Sequence, residues 1–135
     1  METGKLVVSG KRKRCVARAV IYPGTGKIKI NKKSYESLSR IRKLMIEEPI
    51  RIAKSVLGEI KYDIDVSVAG GGIESGIEAS RLAIARALVK ASKSKDLIKK
   101  FVEYDRNLLV ADTRRKEAYK PGDSKARSAR QSSKR

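Results

Sequence analysis

Alternating apolar and polar positions mark the first part of the chain as strand-forming. Leu6–Ser9 is a short run of this kind that ends at Gly10, and Cys15–Tyr22 is a longer one rich in β-branched residues. Pro23–Gly26 then has the composition of a turn, and Lys27–Ile30 alternates again. We therefore predict a hairpin of the last two strands, with the isoleucines of the second strand facing inward and its lysines facing out.

Helical periodicity follows. Leu38, Ile41 and Met45 have the spacing of one apolar helix face. Pro49 is suited to the first turn of a helix, and Gly58 to the position after its last turn. The pattern thus predicts two consecutive helices, the second of which begins near Pro49.

A further strand and the most apolar helix come next. Tyr62–Ala69 alternates and predicts a strand with one buried face. After Gly70–Gly72, the residues Ser75 and Glu78 have the spacing of a capping box, which predicts a helix start at Ser75. Residues 77–91 are apolar over most of the helix circumference, so they should form the central buried helix.

The chain changes character at residue 112. Asp96–Tyr104 is the last predicted helix, and we expect residues 1–111 to form one α+β domain, a small mixed sheet packed on helices. Residues 112–135 contain nine Lys or Arg and three acidic residues, with Tyr119 as the only large apolar group. Ordering a residue costs roughly 1–2 kcal/mol of backbone entropy. We therefore expect an extended cationic tail that is disordered when free and orders against a partner.

Net charge narrows the class of partner. Lys and Arg number 33 against 15 Asp and Glu, for a formal charge of +18. Such an excess opposes compaction and indicates a polyanionic partner, nucleic acid ahead of an acidic membrane or protein. With no histidine and one cysteine, Cys15, we expect no catalytic residues, metal or cofactor, and a structural thiol that is packed or half-exposed. The chain has neither a signal peptide pattern nor a membrane-length apolar run, so we expect a cytoplasmic protein with no membrane partner.

Three clusters are candidates for nucleic-acid binding. A basic run that precedes Cys15 is equally compatible with a solvated surface, and the three glycines fit either a turn with positive φ or an amide-lined approach for a phosphate. The tail repeats the basic signature. The predicted contacts are Lys11, Arg12, Lys13, Arg14, Arg18, Gly70, Gly71, Gly72, Arg114, Arg115, Lys116, Lys120, Lys125, Arg127 and Arg130.

Two enzyme motifs are incomplete. A dinucleotide-binding fingerprint would need a third glycine where Ser75 stands. Gly24–Lys27 has the end of a phosphate-binding loop, but Ile21 replaces its first glycine. Aromatic residues are 4% of the chain, too few for a sheet that reads bases, so recognition of backbone and shape is expected.

Seven short motifs occur in one order along nearly the whole chain. They are Gly10-Lys11-Arg12-Lys13, Pro23–Gly26 before Ile30-Asn31, Tyr62-Asp63-Ile64 before Gly70–Gly72, Gly76, Ala85–Leu88, Asp112-Thr113-Arg114 with Glu117, and Gln131–Arg135. In this order they resemble the ribosomal protein S-nine family of the small ribosomal subunit. Leu108–Asp112 is similar to archaeal members. Thr113, where the family usually has proline, and Tyr119, where lysine is common, depart from the pattern.

The resemblance implies a fold, a function and partners. The fold would be that of the second domain of ribosomal protein S-five, with an unusual left-handed β-α-β crossover. The function would be structural and non-catalytic, with the protein bound to the 3′ major domain of the rRNA in the subunit head beside other head proteins. The tail would run toward the P site, where Lys134 and Arg135 would approach the tRNA anticodon stem-loop.

Two other functions stay open at this point. The same fold family includes small-molecule kinases, although the absence of histidine and of a complete phosphate loop opposes that reading, which ATP turnover would revive. A general RNA- or DNA-packaging protein would bind any nucleic acid alike and would separate from ribosomes on fractionation.

Overall fold

A five-stranded sheet carries three helices in the computed structural model of the chain, which describes residues 5–105 and 108–110. The strands are β1 (Leu6–Arg12), β2 (Cys15–Pro23), β3 (Ile28–Ile30), β4 (Lys33–Ser34) and β5 (Tyr62–Ala69). The helices are α1 (Arg40–Leu57), α2 (Ile73–Ser92) and α3 (Lys95–Tyr104), with a short 3-10 helix at Tyr35–Ser37. The α+β class, β2, β5 and α3 are confirmed as predicted, α3 from one residue earlier.

Strand order in the sheet is β1-β2-β5-β3-β4, and only the β3–β5 pair is parallel. The predicted hairpin of β2 with β3 is therefore wrong, because β5 lies between them. β5 pairs with β2 along its whole length, from Tyr62 to Ala69, whereas β3 has three residues and could form only a short ladder with β2. Ile28 and Ile30 are nevertheless buried and Lys27 and Lys29 exposed, as the alternation predicted.

β1 continues through Gly10 to Arg12, so the predicted interruption at the glycine is also wrong. Gly10 is buried against α2. A Cβ at this position would lie 2.7 Å from the amide nitrogen of Ala83. The glycine thus allows the helix backbone to approach the strand closely instead of ending the strand.

α1 is one helix that includes Pro49, not two helices. Its buried face consists of Ile46, Pro49, Ile50 and Ala53, so tertiary packing outweighs the lost backbone hydrogen bond of the proline. Of the predicted apolar face, Ile41 is wrong, because that side chain is 73% exposed, whereas Leu38 and Met45 are partly buried against the core. The helix ends at Gly58, as predicted, where the Gly58 N–H donates to the Lys54 carbonyl at 2.9 Å.

α2 is the central buried helix, as predicted, and it packs on β1, β2 and β5. It begins at Ile73 with Gly72 as its N-cap residue, two residues before the predicted start, so the capping box of Ser75 and Glu78 is wrong. α1 packs against α2 and α3. Fully buried side chains fill the space between these layers, including Ile21, Ile46, Ile64, Leu88 and Phe101.

The connection from β3 through β4 and α1 to β5 is the parallel β-α-β crossover of this fold. Its left-handed sense, which the family resemblance implies, stays a prediction. The other face of the sheet carries no helix in the described part of the chain. That face presents Ser9, Arg18 and Ser67 side by side across β1, β2 and β5.

Arginine side chains form ion pairs between helices and, in one case, within α1. The pairs are Arg42 with Glu74, Arg51 with Glu47, and Arg81 with both Glu48 and Asp105. Most of these groups are partly exposed, where a pair stabilises by about 0–1 kcal/mol. Their clearer effect is to neutralise acidic side chains, so that the exposed lysines and arginines outside these pairs carry the outward charge.

Candidate nucleic-acid interface

The basic run forms the connection between β1 and β2. Arg12 pairs with Cys15 in the ladder, so Lys13 and Arg14 make a two-residue turn, with Lys13 in the left-handed region at φ 53°. Lys11, Lys13 and Arg14 are exposed. We call residues Lys11–Arg14 the basic turn.

Arg12 differs from its neighbours in the basic turn. Its side chain points toward α2, and its Nε lies 2.6 Å from Oε2 of Glu78. Only 17% of the Arg12 side chain is exposed. Arg12 therefore anchors the turn to the helix, and Glu78, predicted as a capping residue, has this different role.

Gly70 packs directly against the basic turn, and Gly71 packs against Cys15, the first residue of β2. Gly70 and Gly71 have φ angles of 81° and 60°, so the turn reading is correct for both. A Cβ on Gly70 would lie 2.6 Å from the Arg14 carbonyl oxygen. The thiol of Cys15 donates to the Gly70 carbonyl at 2.9 Å and lies 3.4 Å from that of Gly72. Cys15 is fully buried, which confirms it as a packed structural cysteine.

The start of α2 lies next to this contact and faces solvent. Gly70, Gly71 and Gly72 are exposed, and Gly72, as the N-cap residue, has no side chain that could accept a hydrogen bond from the first-turn amides. The first amides of a helix carry partial positive charge and bind anions readily. The structure thus brings together two clusters that are more than fifty residues apart in sequence. We call Lys11, Lys13, Arg14 and the glycines the basic-turn surface.

Arg18 lies beyond this surface on the open face of the sheet. It is exposed and stands opposite Ser9 on β1 and Ser67 on β5. Four residues along a strand correspond to roughly 13 Å. Arg18 therefore extends the positive charge of the basic turn onto the sheet face.

The loop between β2 and β3 forms a nest of amides that the chain itself fills. Oδ1 of Asp63 accepts hydrogen bonds from the amides of Thr25, Gly26 and Lys27 at 2.9, 3.0 and 2.9 Å. The Lys27 amide, with those of Thr25 and Gly26, holds the pKa of Asp63 below its ordinary value. This explains the partial likeness to a phosphate-binding loop: the anion in the loop is an aspartate of β5.

The last described residues are fixed beside β1. Leu108 is fully buried, and the guanidinium of Arg86 donates to the Leu109 carbonyl at 2.9 Å and to the Ser9 carbonyl at 3.0 Å. Sequence reasoning did not assign Arg86 a role. Its signal was an arginine inside the most apolar helix. The predicted contacts from Arg114 to Arg135 lie outside the described residues.

Neither metal chemistry nor membrane insertion finds a basis in this part of the chain. Among the residues described, no group of His, Cys, Asp and Glu side chains has the arrangement of a metal site. None of the described helices is long and apolar enough to cross a bilayer.

Comparison with known proteins gives the surface its context. Residues 10–135 match the sequence profile of the family described as ribosomal protein S9/S16. The small ribosomal subunit protein uS9 of Methanococcus maripaludis strain S2 is 44% identical over 116 residues, which is 85% of each chain. The chain belongs to this family. The uS9 protein of Methanococcus vannielii is 42% identical over the same share of both chains.

Membership of the S9/S16 family decides between the functions left open by the sequence. The chain is a structural, non-enzymatic protein of the small ribosomal subunit, which places it in the cytoplasm. Family membership excludes the kinase alternative, and it is also inconsistent with a packaging protein that acts outside the ribosome. The relatives belong to an archaeal genus, consistent with the archaeal character of residues 108–112.

Proposed function

We propose that the chain binds the rRNA of the subunit head through the basic-turn surface and reaches the P-site tRNA with its C-terminal residues. The observation that carries the first part is the contact between the basic turn and the exposed start of α2. Lys13 and Arg14 supply cations, and the amides behind Gly72 supply donors for phosphate oxygens.

The mechanism of this binding is charge neutralisation on a preformed surface. The glycines leave the backbone of the α2 start uncovered, so a phosphate meets amides directly. Cys15 and Arg12 hold the turn against the helix, so the donors and cations keep a fixed spacing before RNA arrives. Arg18 extends the contact along the sheet.

The tail continues this role in the proposal. Its predicted rRNA contacts are Arg114, Arg115, Lys116, Lys120, Lys125, Arg127 and Arg130, and Lys134 and Arg135 contact the anticodon stem-loop. Support comes from the charge of the segment and from the family. Arg86 and Leu108 fix the point beside β1 from which the segment continues.

The test of the basic-turn surface is a salt titration of binding to a transcript of the 3′ major rRNA domain. The variant Lys13→Asn/Arg14→Gln removes two charges and keeps a residue at position 13 that tolerates positive φ. We expect the magnitude of the log–log salt slope to fall by roughly 1.4–1.8.

The control is Lys99→Gln/Lys100→Gln, which removes the same charge from exposed positions of α3. Its salt slope should change by less than half as much. Equal slopes for the two variants would mean that the protein binds RNA only through its net charge. Release of the protein from small subunits already at low salt would contradict rRNA binding altogether.

The tRNA part has its own test. Deletion of Lys134 and Arg135 should weaken P-site tRNA binding to reconstituted subunits without blocking assembly, because the deletion leaves the domain and its rRNA contacts intact. An assembly defect from this deletion would contradict the assignment of these two residues to tRNA.

A further inference from the structure

A second cationic cleft lies at the end of the sheet opposite the basic turn. It has a volume of about 630 Å³ and opens between the first residues of β1, the end of β2 and the last turn of α2. Six strand residues separate Cys15, at the basic turn, from Ile21, in the cleft, or roughly 20 Å along β2. The cleft is therefore separate from the basic-turn surface.

The charged side chains among the described residues that line the cleft are lysines. Lys5, Lys90 and Lys93 are its charged lining residues, and all three are exposed. No carboxylate among the described residues forms an ion pair with them. Their charge therefore favours an anionic occupant.

Two tyrosines occur at the cleft, and their rings lie on opposite faces of the sheet, because Tyr22 stands opposite Asp63 and Tyr62 stands opposite Pro23 in the β2–β5 ladder. The Tyr62 hydroxyl donates to the Ala91 carbonyl at 3.4 Å, and the Tyr22 hydroxyl donates to Oδ2 of Asp65 at 3.2 Å. Nζ of Lys5 lies 5.7 Å from the centre of the Tyr22 ring. The Tyr62 ring is therefore the one that shares the cleft with Lys90 and Lys93, and it is partly exposed and held in place before a ligand binds.

Cations around ordered aromatic rings are the chemistry by which proteins bind single-stranded nucleic acid. Lysines neutralise the phosphates, and a base stacks on or packs against a ring. An acidic peptide would use the lysines but would have no need of the rings. The open, elongated cleft also fits a chain of nucleotides better than an enclosed small molecule.

We propose that this cleft binds a single-stranded segment of rRNA, with its phosphates at Lys5, Lys90 and Lys93 and a base against Tyr62. The inference rests on the proposed rRNA binding and adds a second, independent contact. The domain then bridges two RNA segments across the length of its sheet. Recognition at the second segment includes a base, which the low aromatic content of the sequence did not predict.

The first test measures affinity of the full chain for a single-stranded uridine dodecamer at fixed salt. Lys90→Gln/Lys93→Gln should weaken binding at least about fivefold. Lys99→Gln/Lys100→Gln is the matched control, because it removes the same charge from exposed sites outside the cleft. Equal losses of affinity for the two double variants would overturn the proposal for the cleft but would leave the proposal for the basic-turn surface intact.

Ring substitutions separate stacking from charge. Tyr62→Leu should weaken binding of the dodecamer by about fivefold to a hundredfold with no change in salt slope, whereas Tyr62→Phe, which keeps the ring, should stay within about twofold of the parent. If both variants bind as the parent does, the ring takes no part in binding and the proposal fails. If polyglutamate of equal charge competes as well as RNA, the occupant is an acidic protein segment and the proposal fails as well.

The source of the RNA is tested in washed small subunits that lack mRNA and tRNA. Irradiation at short wavelength should crosslink the peptide containing Tyr62 to rRNA. A crosslink that forms only after mRNA or tRNA is added would overturn the assignment to rRNA. If the protein is absent from the washed subunits, the proposed function itself fails, so the two failures are distinguishable.

Discussion

Replacement of Arg86 by alanine should release the last described residues from β1. The substitution removes two hydrogen bonds from a charged donor, to the carbonyls of Leu109 and Ser9. Such bonds contribute about 1.5–3 kcal/mol each when buried, and partial exposure places these toward the lower end. We therefore expect the free energy of unfolding to fall by about 2–4 kcal/mol, or roughly 8 °C or more in Tm for a domain of this size.

The loss should be local before it is global. The Leu108 amide donates to the Asp105 carbonyl at 3.0 Å, so its hydrogen exchange reports whether this segment stays attached. Arg86→Ala should accelerate this exchange more than exchange in the centre of β2. Arg86→Lys keeps the charge but cannot span both carbonyls with one ammonium, so we expect an intermediate effect.

Chemical denaturation and native-state exchange measure both effects. Lys90→Ala is the control, because it removes an exposed charge from the same helix. The reasoning is refuted if the free energies of unfolding of Arg86→Ala and the control agree within about 0.5 kcal/mol and the Leu108 amide stays protected from exchange. The two hydrogen bonds would then not fix the segment.

Two further predictions concern the glycine and aspartate turns. Gly71→Ala should lower the free energy of unfolding, measured by chemical denaturation, by at least about 2 kcal/mol, because its φ is positive and the new Cβ would collide with Sγ of Cys15. Gly72→Ala is the control and should change the free energy of unfolding little, because there is open space around Gly72. The pKa of Asp63 is lowered in the fold, so its stabilising effect is complete above the unfolded value near 3.9 and disappears as pH falls through the folded value. As pH falls below about 5, the Tm of Asp63→Asn should therefore decrease less than the Tm of the parent. Identical profiles of Tm against pH would contradict this.

Local patterns were sufficient to predict most elements but not how the strands pair. β2, β5 and the central helix follow directly from the alternation and from the apolar circumference of residues 77–91. The partner of β2, however, depends on which strand offers the longer ladder, and β5 lies far away in sequence. Sequence proximity favoured the wrong hairpin because pairing is a non-local property.

Tertiary packing also explains the helix errors. Pro49 would end an isolated helix, but its burial together with Ile46 and Ile50 keeps α1 continuous. Glu78 has the spacing of a cap, yet the proximity of Arg12, 66 positions earlier in the chain, gives it a stronger partner. At the candidate site, the basic run and the glycines were identified from the sequence as separate clusters. Their contact through Cys15 required the structure.

Arginine and lysine have different roles in this fold, and the difference has a consequence for the chemical modification of lysine. Each ion pair described above, within the fold or at the basic turn, uses an arginine. Acetylation of exposed lysines such as Lys11, Lys13 and Lys90 would therefore remove outward charge while the pairs that join the helices persist. A cell could in this way adjust how tightly such a protein holds RNA without unfolding it.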